Sequence, residues 1–241
     1  MLNTVISELA PTGVLRVGIN LANFLLVSGR KVNGDPAGIA PDLAVAIAED
    51  LDVDICYVCF ETPRELADAV VDQSWDIGLI GFEPARAQLI DFTAAYIQIE
   101  STYLVFKESD IETISDVDRD GVEIAVAAGT AYDLYLTRRL KNARLVRAHG
   151  LEGAFNLFSR ERLDALAGLR PGLIGNAKTL DNTKILDGGF TMVQQAIGIP
   201  ARRTIGYSYL CAYVEDAKAS GFIAELISRH DVEGISVASC V

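Results

Sequence analysis

Nowhere in the 241 residues is there an unbroken apolar run of the roughly 20 residues that a membrane-spanning helix requires, so membrane insertion is not expected. Basic residues are scarce: 21 Lys and Arg stand against 33 Asp and Glu, a formal net charge of −12. Phosphate backbones and anionic membrane surfaces are held by basic patches, so no nucleic-acid partner is expected. A negative overall field does not exclude a small anion, because a pocket sets its own local potential. Histidine is limited to His149 and His230, far apart in the chain, and H-E-x-x-H, P-loop, G-x-S-x-G and G-x-G-x-x-G motifs are lacking. No metal and no cofactor are expected. Cys56 and Cys59 form a C-x-x-C in DICYVCF, but on a strand positions i and i+3 face opposite sides and cannot share an ion. Cys211 and Cys240 read as buried or terminal thiols. Residues 1–13 lack the basic and apolar regions of a signal peptide, so the expectation is a cytoplasmic protein, or a periplasmic one if a leader has been removed.

What is present is a large apolar fraction, 50%, with glycine (20) and proline (7) at ordinary levels, enough to bury a sizeable core. Short apolar runs alternate with helical periods, the pattern of a parallel sheet flanked by helices. Strands are predicted at 15–19, 54–60, 76–80, 102–106, 122–127, 143–147, 163–169 and 193–199. The run 54–60 is apolar on both faces, which predicts a buried parallel strand. Helices are predicted from Pro41, over 64–71, from Gly129-Thr130, over 151–158, and along the stripe Phe222, Ile223, Leu226, Ile227. The order of elements occurs twice without a sequence repeat, which suggests two α/β lobes.

LRVGIN (15–20), GIAPDLAVAIAEDL (38–51), WDIGLIGFEPARAQLIDFTAAY (75–96), TYLVF (102–106), VEIAVAAGTAYD (122–133) and RLDALAG (162–168) stand in an order and spacing that carry a family resemblance. Together they resemble the extracytoplasmic solute-binding proteins of polar amino-acid ABC importers, bacterial family 3, over nearly the whole chain. The resemblance implies a type II periplasmic-binding-protein fold of the α/β class: two lobes, two chain crossings, and a ligand held in the cleft. Lobe 1 would be residues 1–106 plus 197–241 and lobe 2 residues 107–196, with crossings near Phe106 and Ile197. It also implies a small-molecule ligand and an ABC importer membrane component as partner; this chain's own arginines, taken up below, point to a small-molecule anion, and a cytosolic sensor fits the residues equally well.

Ligands of open α/β sheets sit beyond the carboxyl ends of the strands, and the candidate site residues follow those ends. Arg86 matches the family arginine that grips a ligand carboxylate, a role suited to a planar bidentate fork. The segment before it is two residues shorter than the family pattern and reads Gly81-Phe82-Glu83-Pro84. Glu83 orients Arg86, accepts a ligand hydroxyl, or faces water. The acidic residue that pairs with a ligand ammonium falls on Leu169, followed by Arg170. Burying an ammonium there would cost several kcal/mol, so Arg86 and Arg170 together suggest a carboxylate or dicarboxylate without an amino group. After the first strand, Phe24 replaces the family aromatic, or Asn23 supplies a hydrogen bond, with Asn20 beside it. In lobe 2, Gly129 and Thr130 cap a helix or a ligand anion, and Tyr132 closes over the cleft. Of Gln194 and Gln195, one faces the cleft side; Gln194 is the candidate. If the scaffold is instead an enzyme resembling the cyclohexadienyl dehydratases, the acid–base candidates are Glu83, Glu100 and His149.

Overall fold

The computed structural model describes residues 2–240. In chain order the helices and strands are α1 Leu2–Leu9, β1 Val14–Asn20, β2 Gly29–Arg30, β3 Pro36–Ala37, α2 Ile39–Asp50, β4 Asp54–Phe60, α3 Pro63–Asp68, β5 Ile77–Gly81 and β6 Ile90–Phe92. They continue with β7 Ile97–Phe106, β8 Glu123–Ala127, α4 Ala131–Arg139, β9 Arg144–Ala148, α5 Gly150–Glu161, β10 Ala165–Leu169, α6 Arg170–Thr179 and β11 Thr183–Ile185. The last are β12 Thr191–Pro200, α7 Thr204–Ala219, α8 Phe222–Arg229 and β13 Ile235–Val237. Contacts divide the chain into a first unit, 1–98 plus 194–241, and a second, 99–193. The chain therefore leaves the first unit within β7 and returns within β12.

In the first unit β1 is central and parallel to both neighbours, pairing Val14 with Asp54 through Asn20 with Phe60 on β4, and Val17 with Ile77 through Ile19 with Leu79 on β5. Their carboxyl ends, Asn20, Phe60 and Gly81, thus lie along one edge. β12 runs antiparallel to β5, setting Gln195 against Gly81. The expectation of a buried strand at 54–60 is corrected: β4 is the sheet's edge, with Asp54 and Cys56 exposed. Helix α2 starts two residues before Pro41, just after Gly38, whose φ of 138° suits glycine and where a Cβ would lie 2.5 Å from Leu26 O. At the opposite strand ends the fully buried Asp76 receives Arg16 Nη2 at 2.8 Å and Arg203 Nη1 at 3.0 Å. Two guanidiniums on one carboxylate lock β1 and the start of α7 to the strand base.

The second unit orders its strands β7-β10-β8-β9, with β11 on the other side of β7. β8 is parallel to β9 and β10, but β10 is antiparallel to β7, pairing Leu169 with Ser101 and Ala165 with Val105. Alternation splits its apolar residues between two cores. Tyr103, Val105, Ile124, Val126, Ala165 and Ala167 face α4, while Leu104, Phe106, Ala125, Ala127 and Leu166 pack with Phe158 and Leu173. Apolar residues on both faces mark a sheet covered on both sides.

Candidate functional site

In the first unit the loop after β1 is a compact turn. Asn20 Oδ1 accepts from the Ala22 N–H at 3.2 Å, and the Asn23 carbonyl accepts from Leu26 and Val27 at 3.0 and 2.8 Å. The Asn23 side chain is buried at 8% exposure, yet its Oδ1 has no hydrogen-bond partner. A buried acceptor without a donor costs about 1–3 kcal/mol and calls for an explanation such as a site kept for a ligand donor. Phe24, the other candidate for this place, is 43% exposed.

β5 ends at Gly81, and the shortened loop folds into a single turn in which the Glu83 carbonyl accepts from the Arg86 and Ala87 N–H groups at 2.9 and 3.1 Å. This turn carries the Arg86 side chain back under the strand end, where Nη1 donates to Gly81 O at 2.5 Å. Arg86 and Glu83 are both buried, at 7% and 6% exposure. Burial pushes the Arg86 pKa down to about 10, while the charges of Glu83 and Asp68 act against that shift. Of the three roles left open for Glu83, water contact is removed by its burial, and its charge supports the guanidinium. Phe82 points the other way: its ring meets Phe92 edge-on at 5.4 Å, and its N–H donates to Gln194 O at 2.7 Å. Phe82 and Gln194 line a cavity of about 410 Å³ with Phe92, Thr93, Gln98 and Ser239. Arg86 is not among its walls. Gln195, on the alternate face of β12, is 4% exposed beside Gly81.

In the second unit Gly129 (φ 73°) and Thr130 turn the chain from β8 into α4. The Gly129 N–H donates to Asp133 Oδ2 at 2.8 Å; the Thr130 hydroxyl donates to Ala127 O at 2.9 Å and accepts from the Asp133 N–H at 3.2 Å. Thr130 therefore serves as the helix cap, and a carboxylate of the chain itself occupies the turn. Asp133, missed in the sequence, is in turn held by Arg147 Nε at 2.9 Å. The spacing Thr130-x-x-Asp133 is a capping-box signature that marks it. Tyr132, at 4% exposure, belongs to the α4-side core, and burial raises its pKa well above the usual value.

Arg170 is the first residue of α6, not a loop residue. Its Nε donates to Glu100, and its Nη2 donates to Leu186 O at 3.1 Å and Gly188 O at 2.7 Å. The guanidinium expected to reach for a ligand anion is thus already paired, and Glu100 supplies the acidic neighbour that Leu169 does not. His149, the remaining acid–base candidate, is exposed at the start of α5 with no side-chain cap bond. Among the described residues no group of three or more His, Cys, Asp or Glu side chains is placed to hold a metal ion.

The profile of the family described as bacterial extracellular solute-binding proteins, family 3, matches residues 15–230. Among curated proteins, the amino-acid-binding protein AabA of Dichelobacter nodosus is 26% identical over 113 residues, 46% of this chain. That match spans about half the length of the relative, 45%. Two solved structures illustrate the fold. An ancestral amino acid-binding protein described as a precursor of cyclohexadienyl dehydratase is 23% identical with a TM-score of 0.76, covering 93% of this chain and 98% of that one. The cysteine-binding protein from Campylobacter jejuni is 18% identical with a TM-score of 0.76, covering 93% and 92%.

Proposed function

The chain belongs to the bacterial extracellular solute-binding proteins of family 3, and on that premise we propose that it binds a small carboxylate-bearing solute of amino-acid size for an ABC importer. The observation that carries this reading is Arg86, a buried guanidinium delivered by a one-turn loop to the carboxyl end of β5. A desolvated cation gains most from an anion that arrives without its water, and the planar fork matches a carboxylate. Asn23, with its bare buried oxygen at the neighbouring strand end, supplies an acceptor for a solute hydroxyl or N–H. A dicarboxylate is less favoured than a single carboxylate, because Arg170 is engaged by Glu100.

Isothermal titration against a panel of monocarboxylates, dicarboxylates and amino acids tests the reading. Binding that is lost in Arg86→Met, with ligand recovered unchanged in mass, is the expected result. A correctly folded wild-type protein that binds no member of the panel overturns it.

A further inference from the structure

We infer that the first unit carries a second ligand site, separate from Arg86: the cavity of about 410 Å³ beside Phe82 takes a flat, uncharged ring that bears a carboxamide. Its walls come from that unit alone. Gln98 is the last residue before the chain leaves the first unit and Gln194 the first after it returns, and the other walls lie at 82, 92–95 and 238–239. The volume falls within the roughly 300–1,000 Å³ of small-molecule pockets.

Main-chain bonds tie the walls down. The Phe82 N–H donates to Gln194 O at 2.7 Å, the Thr93 N–H to Ile197 O at 3.0 Å and the Ala238 N–H to Tyr96 O at 3.2 Å. The buried Lys218 holds the last wall, its Nζ donating to Ser239 O at 2.9 Å. A pocket fixed in this way needs little ordering when a ligand enters. The Thr93 hydroxyl is already engaged, donating to Ala94 O at 2.7 Å and accepting from the Ile197 N–H at 3.1 Å. Among the described residues no hydrogen bond engages the side-chain amides of Gln98 and Gln194, and each offers donors and an acceptor. The Phe82 and Phe92 rings stand at 89° to one another, an aromatic corner, and Phe82 is 40% exposed, so a flat ring entering there covers phenyl surface now open to water. None of the described wall residues is charged. A carboxylate or an ammonium would give up its water there without a counter-charge, whereas a neutral carboxamide pairs with the two free amides.

The test is titration of the full chain with benzamide and benzoate, two probes of one shape that differ in charge, followed through the backbone amide signals in nuclear magnetic resonance. Benzamide should move the Phe82, Thr93 and Ser239 amides, and benzoate should act on the same signals at least about tenfold more weakly. Gln98→Leu combined with Gln194→Leu leaves the main-chain bond to the Phe82 N–H in place and should weaken benzamide at least about tenfold, the order of one or two net hydrogen bonds. Phe82→Ala removes one wall of the corner and should weaken it to a similar extent. Benzamide that moves none of these amides, or moves only those of Asn23 and Arg86, overturns the inference. Equal affinity for benzoate at the same signals, or a Gln98→Leu/Gln194→Leu protein that binds benzamide as wild type does, overturns it as well.

Discussion

Arg86 is kept at 7% exposure with its pKa lowered by burial to about 10, against the opposing charges of Glu83 and Asp68. Replacing it by methionine removes the carboxylate clamp and leaves the buried Glu83 without its cationic neighbour. Arg86→Met should therefore melt below wild type and, measured where it is folded, lose at least about a hundredfold in carboxylate affinity, read by circular dichroism and calorimetry. The sign of the pH effect follows. Arg86 binds its proton less tightly folded than unfolded, so its contribution favours the folded state increasingly as pH rises from about 10 toward the ordinary arginine value. Carboxylate binding falls over that same window, so titrations at pH 8 and 10.5 should show the weaker affinity at the higher value. Asp76 is the opposite case, a fully buried carboxylate with Arg16 and Arg203 on it. Asp76→Ala strands both cations and should cost about 3–5 kcal/mol in chemical denaturation.

At the scale of elements, Asp118 shows how one carboxylate fixes a connection. Its oxygens accept the Lys141, Asn142 and Ala143 N–H groups at 2.8–3.1 Å. Desolvation tends to raise its pKa, but these backbone bonds outweigh it and hold the value below the usual carboxylate range. The resulting stability is present above the unfolded value and is lost as pH falls through the folded one. Asp118→Asn should lower the melting temperature at pH 6, and the gap from wild type should close below pH 3. Most long elements were legible because their apolar period is plain, as in Leu43, Ile47 and Leu51 of α2. Helix α7 was not: its buried stripe is Gly206, Leu210, Val214 and Ala217, and a glycine and an alanine carry no hydrophobic signal. Helix α6 escaped because it follows β10 with no loop and contains proline and two glycines, burying Leu173 alone. Local features were readable, as in the turn that carries Arg86 after β5 and the Thr130 cap before α4. The Glu100–Arg170 contact joins residues 70 apart through an antiparallel register that the parallel pattern does not announce.

For the whole molecule, charge acts on rates rather than on the fold. With −12 net charges, the protein repels a carboxylate that comes within about 10 Å, the screening length at 0.1 M salt. The association rate constant for an anionic solute, measured by stopped flow, should thus rise as salt increases, whereas that for a cationic amine should fall. The first helix has a practical bearing of its own. The Glu8 carboxylate accepts the Ile205 and Gly206 N–H groups at the start of α7 at 2.9 and 2.8 Å, and a Cβ on Gly206 would lie 2.8 Å from a Leu9 methyl. Anyone fusing a fluorophore or trimming the chain to build a sensor should therefore leave residues 2–9 in place: cutting them away would bare an apolar socket and the positive tip of a sixteen-residue helix at once.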